Sequence, residues 1–585
     1  MSQQDELKVT REHNVMIPMR DGVCLAADII RPDLPGRFPV LVTRGPYGKV
    51  GYVNNPSHAN WFFAKHGYVV VNQDCRARFD SEGDSFDPLF QEVEDGYDTV
   101  EWAASQAWSN GRVGTSGQSY LGATQRVMLT GSSLPPHLLA MAPVSASADF
   151  HQSWVYHTGG AMEWGWMVPY AIHKGRNILS RDGHEELLPL MEDYLDPADN
   201  FAQPLRDEWY RHLPLRDWIN RLKEAAPYFR EYLDNETDGP YWWRINQLQH
   251  LEGDNLPMFN ISSWYDIFLE GALNSYQATT QKDGSDSVKS QQKLLIGPWG
   301  HLLPYTTPSS EGTGDIDFGA EAKIELLQFL LRWFDHWLKD VDTGLMKEPP
   351  VRIFVMGENR WRFENEWPLA RTEYTNYYFH SDGSANSRNG TGTISTEFPG
   401  KEDADKYQYD PSDPVPTRGG NTLIIPRGVY DQGTTEDRAD VLVYTSLPLE
   451  RDLEVTGPIK VQLFAASSAI DTDFTAKLVD VRPGGYAHNI QDGIVRARYH
   501  ASIAPALIEP GRVYQFTIDL WATSHLFKVG HQLRVEIASS NFPRFDRNPN
   551  TGAPIGSDDK MEVAQQTIYH SAAHPSHIVL PVIPR

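Results

Sequence analysis

Apolar and polar positions alternate across residues 13–30 on either side of Asp21-Gly22, a spacing that predicts a hairpin. Short apolar runs at 38–43 and 67–72, and a third strand at 113–115, are interleaved with segments of helical spacing at 61–64, 95–106 and 120–130. Strand and helix alternating through short connections predicts a parallel sheet covered by helices. The pattern changes at about residue 151. Up to about residue 249 the chain is rich in Trp, Tyr, Leu, Arg and Glu, with helical spacing at 187–191 and 218–232 and a break at Pro227, which predicts a helical insertion. Strands resume at 256–262 and 293–297, and an amphipathic helix at 324–338 closes the α/β unit. Beyond Asp342-Thr343-Gly344 short alternating strands follow, at 351–356, 459–464, 514–520 and 532–537, predicting a β-sandwich or jelly roll. The expected organisation is a discontinuous α/β core (1–150 and 250–345), an inserted helical cap (151–249) and a C-terminal β domain (346–585).

Composition narrows the function classes. The 585 residues suggest two to four domains, and 40% hydrophobic against 22% charged residues excludes a disordered chain. The 45 glycines and 40 prolines suit a loop-rich fold with strands rather than a helical bundle. With 52 basic and 77 acidic residues the net charge is −25, a field that repels a phosphate backbone or an anionic membrane. Two cysteines, Cys24 and Cys75, leave no disulfide framework and no Cys-rich metal site. The polar, acidic start, Met1 to Glu6, has no leader pattern, and no window reaches 18 apolar residues. The expectation is a cytoplasmic protein.

The sharpest local feature is Gly114-Thr115-Ser116-Gly117-Gln118-Ser119-Tyr120-Leu121-Gly122, between a predicted strand and a predicted helix. A serine on such a turn is exposed, and the helix N-terminus behind it offers free N–H groups to a developing oxyanion. Leu121 departs from the general G-x-S-x-G elbow, and a Gly-rich turn with an N-capping serine would share much of the motif. Ser119 needs a base and an orienting acid. Asp266, in Trp264-Tyr265-Asp266, and His301, in Gly297-Pro298-Trp299-Gly300-His301, each follow a predicted strand, in the order serine, acid, histidine. There is no H-E-x-x-H and no phosphate loop.

With these segments in place, the chain resembles the CocE/NonD hydrolases, the group of cocaine esterase, α-amino-acid ester hydrolases and X-Pro dipeptidyl-peptidases. The resemblance rests also on Gly45-Pro46-Tyr47, on Gln73-Asp74-Cys75-Arg76 through Ser81-Glu82-Gly83, and on Asn541-Phe542-Pro543-Arg544-Phe545. Its elbow is G-x-S-Y-x-G, which accounts for Leu121. It implies an α/β-hydrolase core, a helical cap and a C-terminal jelly roll. It further implies Ser119 as nucleophile, His301 as base, Asp266 as acid, and an oxyanion hole from the Tyr120 N–H and the Tyr47 hydroxyl. The expected activity is cleavage of carboxylic esters through an acyl-enzyme, with amide or peptide hydrolysis of the α-amino-acid ester hydrolase or X-Pro dipeptidyl-peptidase type as the alternative, and no cofactor or metal. Trp154, Trp164 and Trp166 in the cap, with Trp264 and Phe268 beside the acid, are candidate walls of an aromatic acyl pocket, or else core packing. Glu163 is either an anchor for a substrate ammonium or a solvated charge. The expected partner is a small-molecule ester or amide, with no nucleic acid or membrane, and the jelly roll is expected to close over the site and support a homodimer. A catalytically dead core carrying a carbohydrate-binding jelly roll is the competing class, and an intact Ser119, Asp266 and His301 argue against it.

Overall fold

The computed structural model describes residues 6–50, 59–192, 208–251, 256–281, 286–301 and 314–584. Most of the polar N-terminal segment, residues 1–5, lies outside them. Among the described residues, ten strands form the first sheet: β1 (Val9–Pro18), β2 (Cys24–Pro32), β3 (Phe38–Gly45), β4 (Val69–Asp74), β5 (Ser109–Gln118), β6 (Leu138–Val144), β7 (Met258–Ser263), β8 (Gln292–Gly297), β9 (Val351–Val355) and β10 (Arg360–Glu364). Their spatial order is β1-β2-β4-β3-β5-β6-β7-β8-β9-β10. The run from β4 to β9 is parallel and the edges are antiparallel. Strands β4, β7 and β8 are buried at every position, as expected for strands covered on both faces.

Helices α1 (Ala59–Lys65), α2 (Glu92–Ser105), α3 (Tyr120–Met128), α4 (Trp164–Asp182), α5 (Leu269–Gln281) and α6 (Leu326–Lys339) are the longer ones. Helix α6 presents Leu326, Leu330, Trp333, Phe334 and Leu338 to the sheet, filling a core with Leu41, Val70 and Ile261. The cap enters between β6 and β7. It is built around α4 and several short helices, and the break expected at Pro227 separates the helices Asp217–Arg221 and Phe229–Asp234.

The C-terminal domain is an eleven-stranded antiparallel-dominated β structure. Its long strands Leu453–Ser467 and Tyr514–Phe527 pair antiparallel, and Asp473–Val481 pairs with Ala487–Arg496. Its core holds Val461, Leu463, Phe474, Phe516, Ile518 and Val535. The domain boundary differs from the expected 346. β9 pairs parallel with β8 and β10 pairs with β9, so residues 351–364 complete the core sheet rather than begin the β domain. No helix among the described residues is long and apolar enough to cross a membrane.

A buried ion network ties the cap to the C-terminal domain. Arg496 donates to Asp473 (2.9 Å) and Asp546 (3.0 Å), its backbone N–H reaches Gly159 O (2.9 Å), and Asp546 accepts from Met162 N–H (2.7 Å). Burial pushes the Asp473 carboxyl up to about 6, against the pull of Arg496. Replacing Arg496 by Met would strand two buried carboxylates. The expected loss is about 3–5 kcal/mol, read as a lower thermal midpoint of the cap and C-terminal domain. An unchanged midpoint would show that the network adds nothing.

Candidate active site

The elbow is a strained turn. Ser119 sits between β5 and α3 at φ 61° and ψ −127°, outside the regions a serine ordinarily occupies. The turn is over-determined by its neighbours: Ser119 N–H donates to Val144 O (2.9 Å), and Ser119 O accepts from Gly122 N–H (2.8 Å) and Ala123 N–H (2.9 Å). Glycine is required at 122 because a Cβ there would stand 2.7 Å from Ala146 Cβ and 2.9 Å from Val144 O, so helix and strand could not close. At Gly117, φ is 152° and a Cβ would stand 2.4 Å from Leu121 Cβ.

The acid and the base lie on loops at the ends of adjacent strands. Asp266 follows β7 and His301 follows β8, and His301 Nδ1 is 3.0 Å from Asp266 Oδ1. Both are buried, at 0% and 3% exposure. The two loops are laced together: Trp264 N–H donates to Gly297 O (2.8 Å), Tyr265 N–H to Trp299 O (3.1 Å) and Ser263 Oγ to Gly300 O (2.9 Å). Phe268 N–H also donates to Asp266 Oδ1 (2.8 Å), and the Gln118 amide beside the elbow donates to the His301 carbonyl. A carboxylate on Nδ1 fixes the tautomer and leaves Nε2 for proton exchange.

The C-terminal domain reaches into this arrangement. Asn421 Nδ2 donates to the carbonyls of Trp264 (2.9 Å) and Asp266 (3.0 Å), Gln491 Nε2 to Trp264 O (2.9 Å), and the Tyr265 hydroxyl to Asn489 O (2.9 Å). The backbone of the acid loop is thus held by side chains more than 150 residues downstream.

Tyr47 faces the elbow from the loop after β3. Burial pushes its phenol up, and the hydroxyls of Tyr170 and Ser119 and the N–H of Tyr120 all act on its oxygen in the opposite direction. The Tyr47 hydroxyl and the Tyr120 N–H therefore meet next to Ser119. The Tyr120 ring points elsewhere, its hydroxyl accepting from Leu89 N–H (2.9 Å) and donating to Glu92 (3.3 Å). An aromatic wall adjoins. Phe268 stands edge-on to the His301 ring (5.3 Å between centroids, 81°), Trp154 stacks on Phe268 (4.8 Å, 9°), and Trp166 meets Trp154, Phe268 and Tyr170 at 5.0, 5.7 and 5.2 Å.

Residues 21–303 match the family model described as X-Pro dipeptidyl-peptidase (S15 family), and 343–579 the model of the X-Pro dipeptidyl-peptidase C-terminal non-catalytic domain. Cocaine esterase of Rhodococcus sp. (strain MB1 Bresler) is 39% identical over 98% of this chain and 98% of its own. The chain belongs to the CocE/NonD family of serine ester hydrolases. Two solved structures share the three-part fold. An α-amino acid ester hydrolase gives a TM-score of 0.80 at 25% identity over 100% of this chain and 98% of that one. An aminopeptidase from a marine-sediment Thaumarchaeota archaeon gives 0.83 at 25% identity over 99% and 97%.

In this CocE/NonD hydrolase the structure brings Ser119, the Tyr120 N–H and Tyr47 to one end of the sheet and joins Asp266 to His301. Of the five candidate pocket residues it gathers Trp154, Trp166 and Phe268. Trp164 and Trp264 are corrections. The Trp164 indole donates to Tyr210 O (3.0 Å) and packs on Trp218, inside the cap, because it lies on another face of α4 from Trp166. The Trp264 indole donates to Phe354 O (2.7 Å) and packs on Trp367, in the core beneath the acid loop. Glu163 is neither solvated nor open to a substrate amine: it is 1% exposed, lies 2.9 Å from His157 Nδ1 and is 3.7 Å from Arg544. Two residues at the site escaped the sequence reading, Tyr170 and Lys174. The signal was there, since Trp166, Tyr170 and Lys174 follow at steps of four, one stripe of a helix.

One group among the described residues has metal-ligand chemistry, Asp480, His488 and His525, with ligand atoms within 4.8 Å of one another. Its groups are largely committed to other bonds. Asp480 is bonded to His525 Nε2 (3.0 Å) and His531 Nδ1 (2.8 Å), while His488 lies between Arg482 (3.2 Å) and the Tyr265 hydroxyl (3.0 Å). With a guanidinium on one ligand, the cluster serves as a buried hydrogen-bond network behind the acid loop.

Proposed function

We propose that the chain hydrolyses carboxylic esters with a planar, uncharged acyl group, using Ser119 as nucleophile, His301 as general base, Asp266 as its orienting acid, and Tyr47 with the Tyr120 N–H as the oxyanion hole. The carrying observation is the strained Ser119 next to the Tyr47 hydroxyl, with His301 already set on Asp266. Ser119 Oγ attacks the carbonyl while His301 Nε2 takes its proton. The carbonyl oxygen gains its charge against two fixed donors, and the aromatic wall excludes water, so those donors act at low dielectric. His301 then protonates the leaving alkoxide, and a water activated by the same nitrogen releases the acid and restores Ser119. The phenol suits the role because burial keeps it protonated.

Electrostatics favours esters over substrates bearing a free amine. Lys174 and Arg78 are the charged groups near Tyr47 and Tyr170. Of the nearby carboxylates, Asp266 is bonded to His301 and Phe268 N–H, and Glu163 is taken by His157. Glu270 accepts from Asn274 (2.8 Å) and Thr158 (3.2 Å), and burial holds its carboxyl up to about 8, so it is protonated at neutral pH. A substrate ammonium beside Tyr47 would meet the Arg78 guanidinium and Lys174 rather than a free carboxylate. The unpaired Cys24 and Cys75 support a reducing, cytoplasmic setting, and a small-molecule substrate, with no nucleic acid or membrane, suits the acidic chain. Self-association through the C-terminal domain stays part of the proposal.

The test is a panel of p-nitrophenyl benzoate, p-nitrophenyl acetate, phenylalanine p-nitrophenyl ester and Gly-Pro-p-nitroanilide, with mass spectrometry of the protein after a serine-directed fluorophosphonate. Preference for benzoate and one phosphonyl adduct at Ser119 are expected. Preference for the amino-acid ester or the anilide overturns the substrate class, and an unlabelled Ser119 overturns the mechanism. Phe268→Ala should raise KM for the benzoate about tenfold, the range of a lost apolar pocket contact, with little change for the acetate. An equal rise for both would place Phe268 outside the acyl pocket.

A further inference from the structure

Lys174 is buried at 4% exposure in the middle of α4, and among the described residues it makes no ion pair. Its Nζ lies 3.8 Å from the centroid of the Tyr47 ring and 5.3 Å from that of Tyr170. A lysine buried without a carboxylate is costly, and here the faces of two phenol rings are what it meets. One of those phenols carries the hydroxyl beside Ser119.

Resting on the proposed ester hydrolysis, we propose that Lys174 is a positioning residue that acts through Tyr47: its ammonium, seated on the ring face, draws electron density from the phenol and makes its O–H a stronger donor to the oxyanion. A cation over an aromatic face is attracted by the ring's negative quadrupole. The attraction grows as the phenol oxygen takes on charge from the oxyanion it binds, so the contact is tighter in the transition state than in the ground state. That difference raises kcat and leaves KM alone.

The surroundings set the pH response. Arg78, from the turn after β4, donates NH1 to the Lys174 carbonyl (2.9 Å) and Nε to Pro46 O (3.2 Å). His173, on the same helix, is held at about 3 by burial and by Lys174, Arg176 and Arg78, so it is neutral. Tyr47 and Tyr170 face the amine from either side, and burial raises both phenols. Burial, with Arg78 next, lowers the Lys174 ammonium well below its ordinary value. As pH rises through that lowered value the charge is lost and the rate should fall, a limb that lies below any the raised phenols would produce.

The experiment is a double-mutant cycle on p-nitrophenyl benzoate with full-length protein, read as kcat, KM, pH–rate profile and thermal midpoint. Lys174→Met keeps the shape and removes the charge. It should lower kcat about tenfold at pH below the limb, leave KM within twofold and erase the limb. In the Tyr47→Phe background, where the ring remains and the hydroxyl is gone, the same change should have no effect on kcat. Lys174→Arg, which stays charged, should keep the rate and push the limb to higher pH. If Lys174→Met does not fold, the Lys174→Arg profile carries the test alone. Equal losses in both backgrounds, an unmoved limb with Arg, or an unchanged kcat with Met each overturn the proposal. Retention of activity by Ser119→Ala would overturn the underlying reading, a result separate from all of these.

Discussion

Ester turnover is expected to fall about a million-fold, to the residual level set by binding and oxyanion stabilisation, when Ser119 is replaced by alanine. The change removes one oxygen. The turn is held by backbone bonds from Val144 O to Ser119 N–H and from Ser119 O to residues 122 and 123, none of which uses the side chain. Alanine meets the same φ of 61° that serine does, so the thermal midpoint should stay where it is. Pre-steady-state titration with p-nitrophenyl benzoate checks the origin of any remaining activity, since the wild type should release one burst equivalent and the variant none. A variant with wild-type turnover and a full burst would mean that the nucleophile lies elsewhere.

Tyr47→Phe should lower kcat about 10²- to 10³-fold, the range for loss of one preorganised oxyanion donor. The substitution leaves the ring against Tyr120 and under Lys174 and takes away only the hydroxyl. KM should change little, because an oxyanion donor acts on the charge that develops in the transition state rather than on the ground-state carbonyl. A fall in kcat of less than twofold would leave the backbone N–H of Tyr120 as the sole donor. The pair of outcomes also separates roles: loss of Ser119 abolishes the burst, whereas loss of the Tyr47 hydroxyl slows it.

Much of the site was legible because its members sit where local signals are strongest. Ser119 lies in a glycine-flanked strand-to-helix turn, and Asp266 and His301 each close an apolar strand of β-rich sequence, so spacing alone ordered them. Direction was not legible. Trp164 and Trp166 are two residues apart and on different faces of α4, but the helix starts without a side-chain cap at Glu163 and carries Pro169 inside it, so its phase could not be set from the sequence. Lys174 stands on one stripe with Trp166 and Tyr170, a signal that is readable only once the segment is taken as helical. Trp264 precedes the acid by two residues, yet its side chain points down into the core. The strand at 351–356 was visible as a strand, whereas β10 at 360–364 was not. The partner of β9, β8, is some 57 residues upstream, and pairing at that range leaves no mark in a period-2 pattern.

The grip of Asn421, Gln491 and Asn489 on the acid loop sets an order of events in the life of each chain. Translation delivers Ser119 first, then Asp266 and His301, and the residues that hold the acid loop last. At about 5–20 residues per second, the loop waits roughly ten to forty seconds for its supports. A nascent core therefore spends that interval without the bonds from Asn421 and Gln491 to its acid loop. Truncated or stalled products carry all three chemical groups but lack this second set of holds on the acid loop, so the C-terminal domain would act as a completion check on the enzyme.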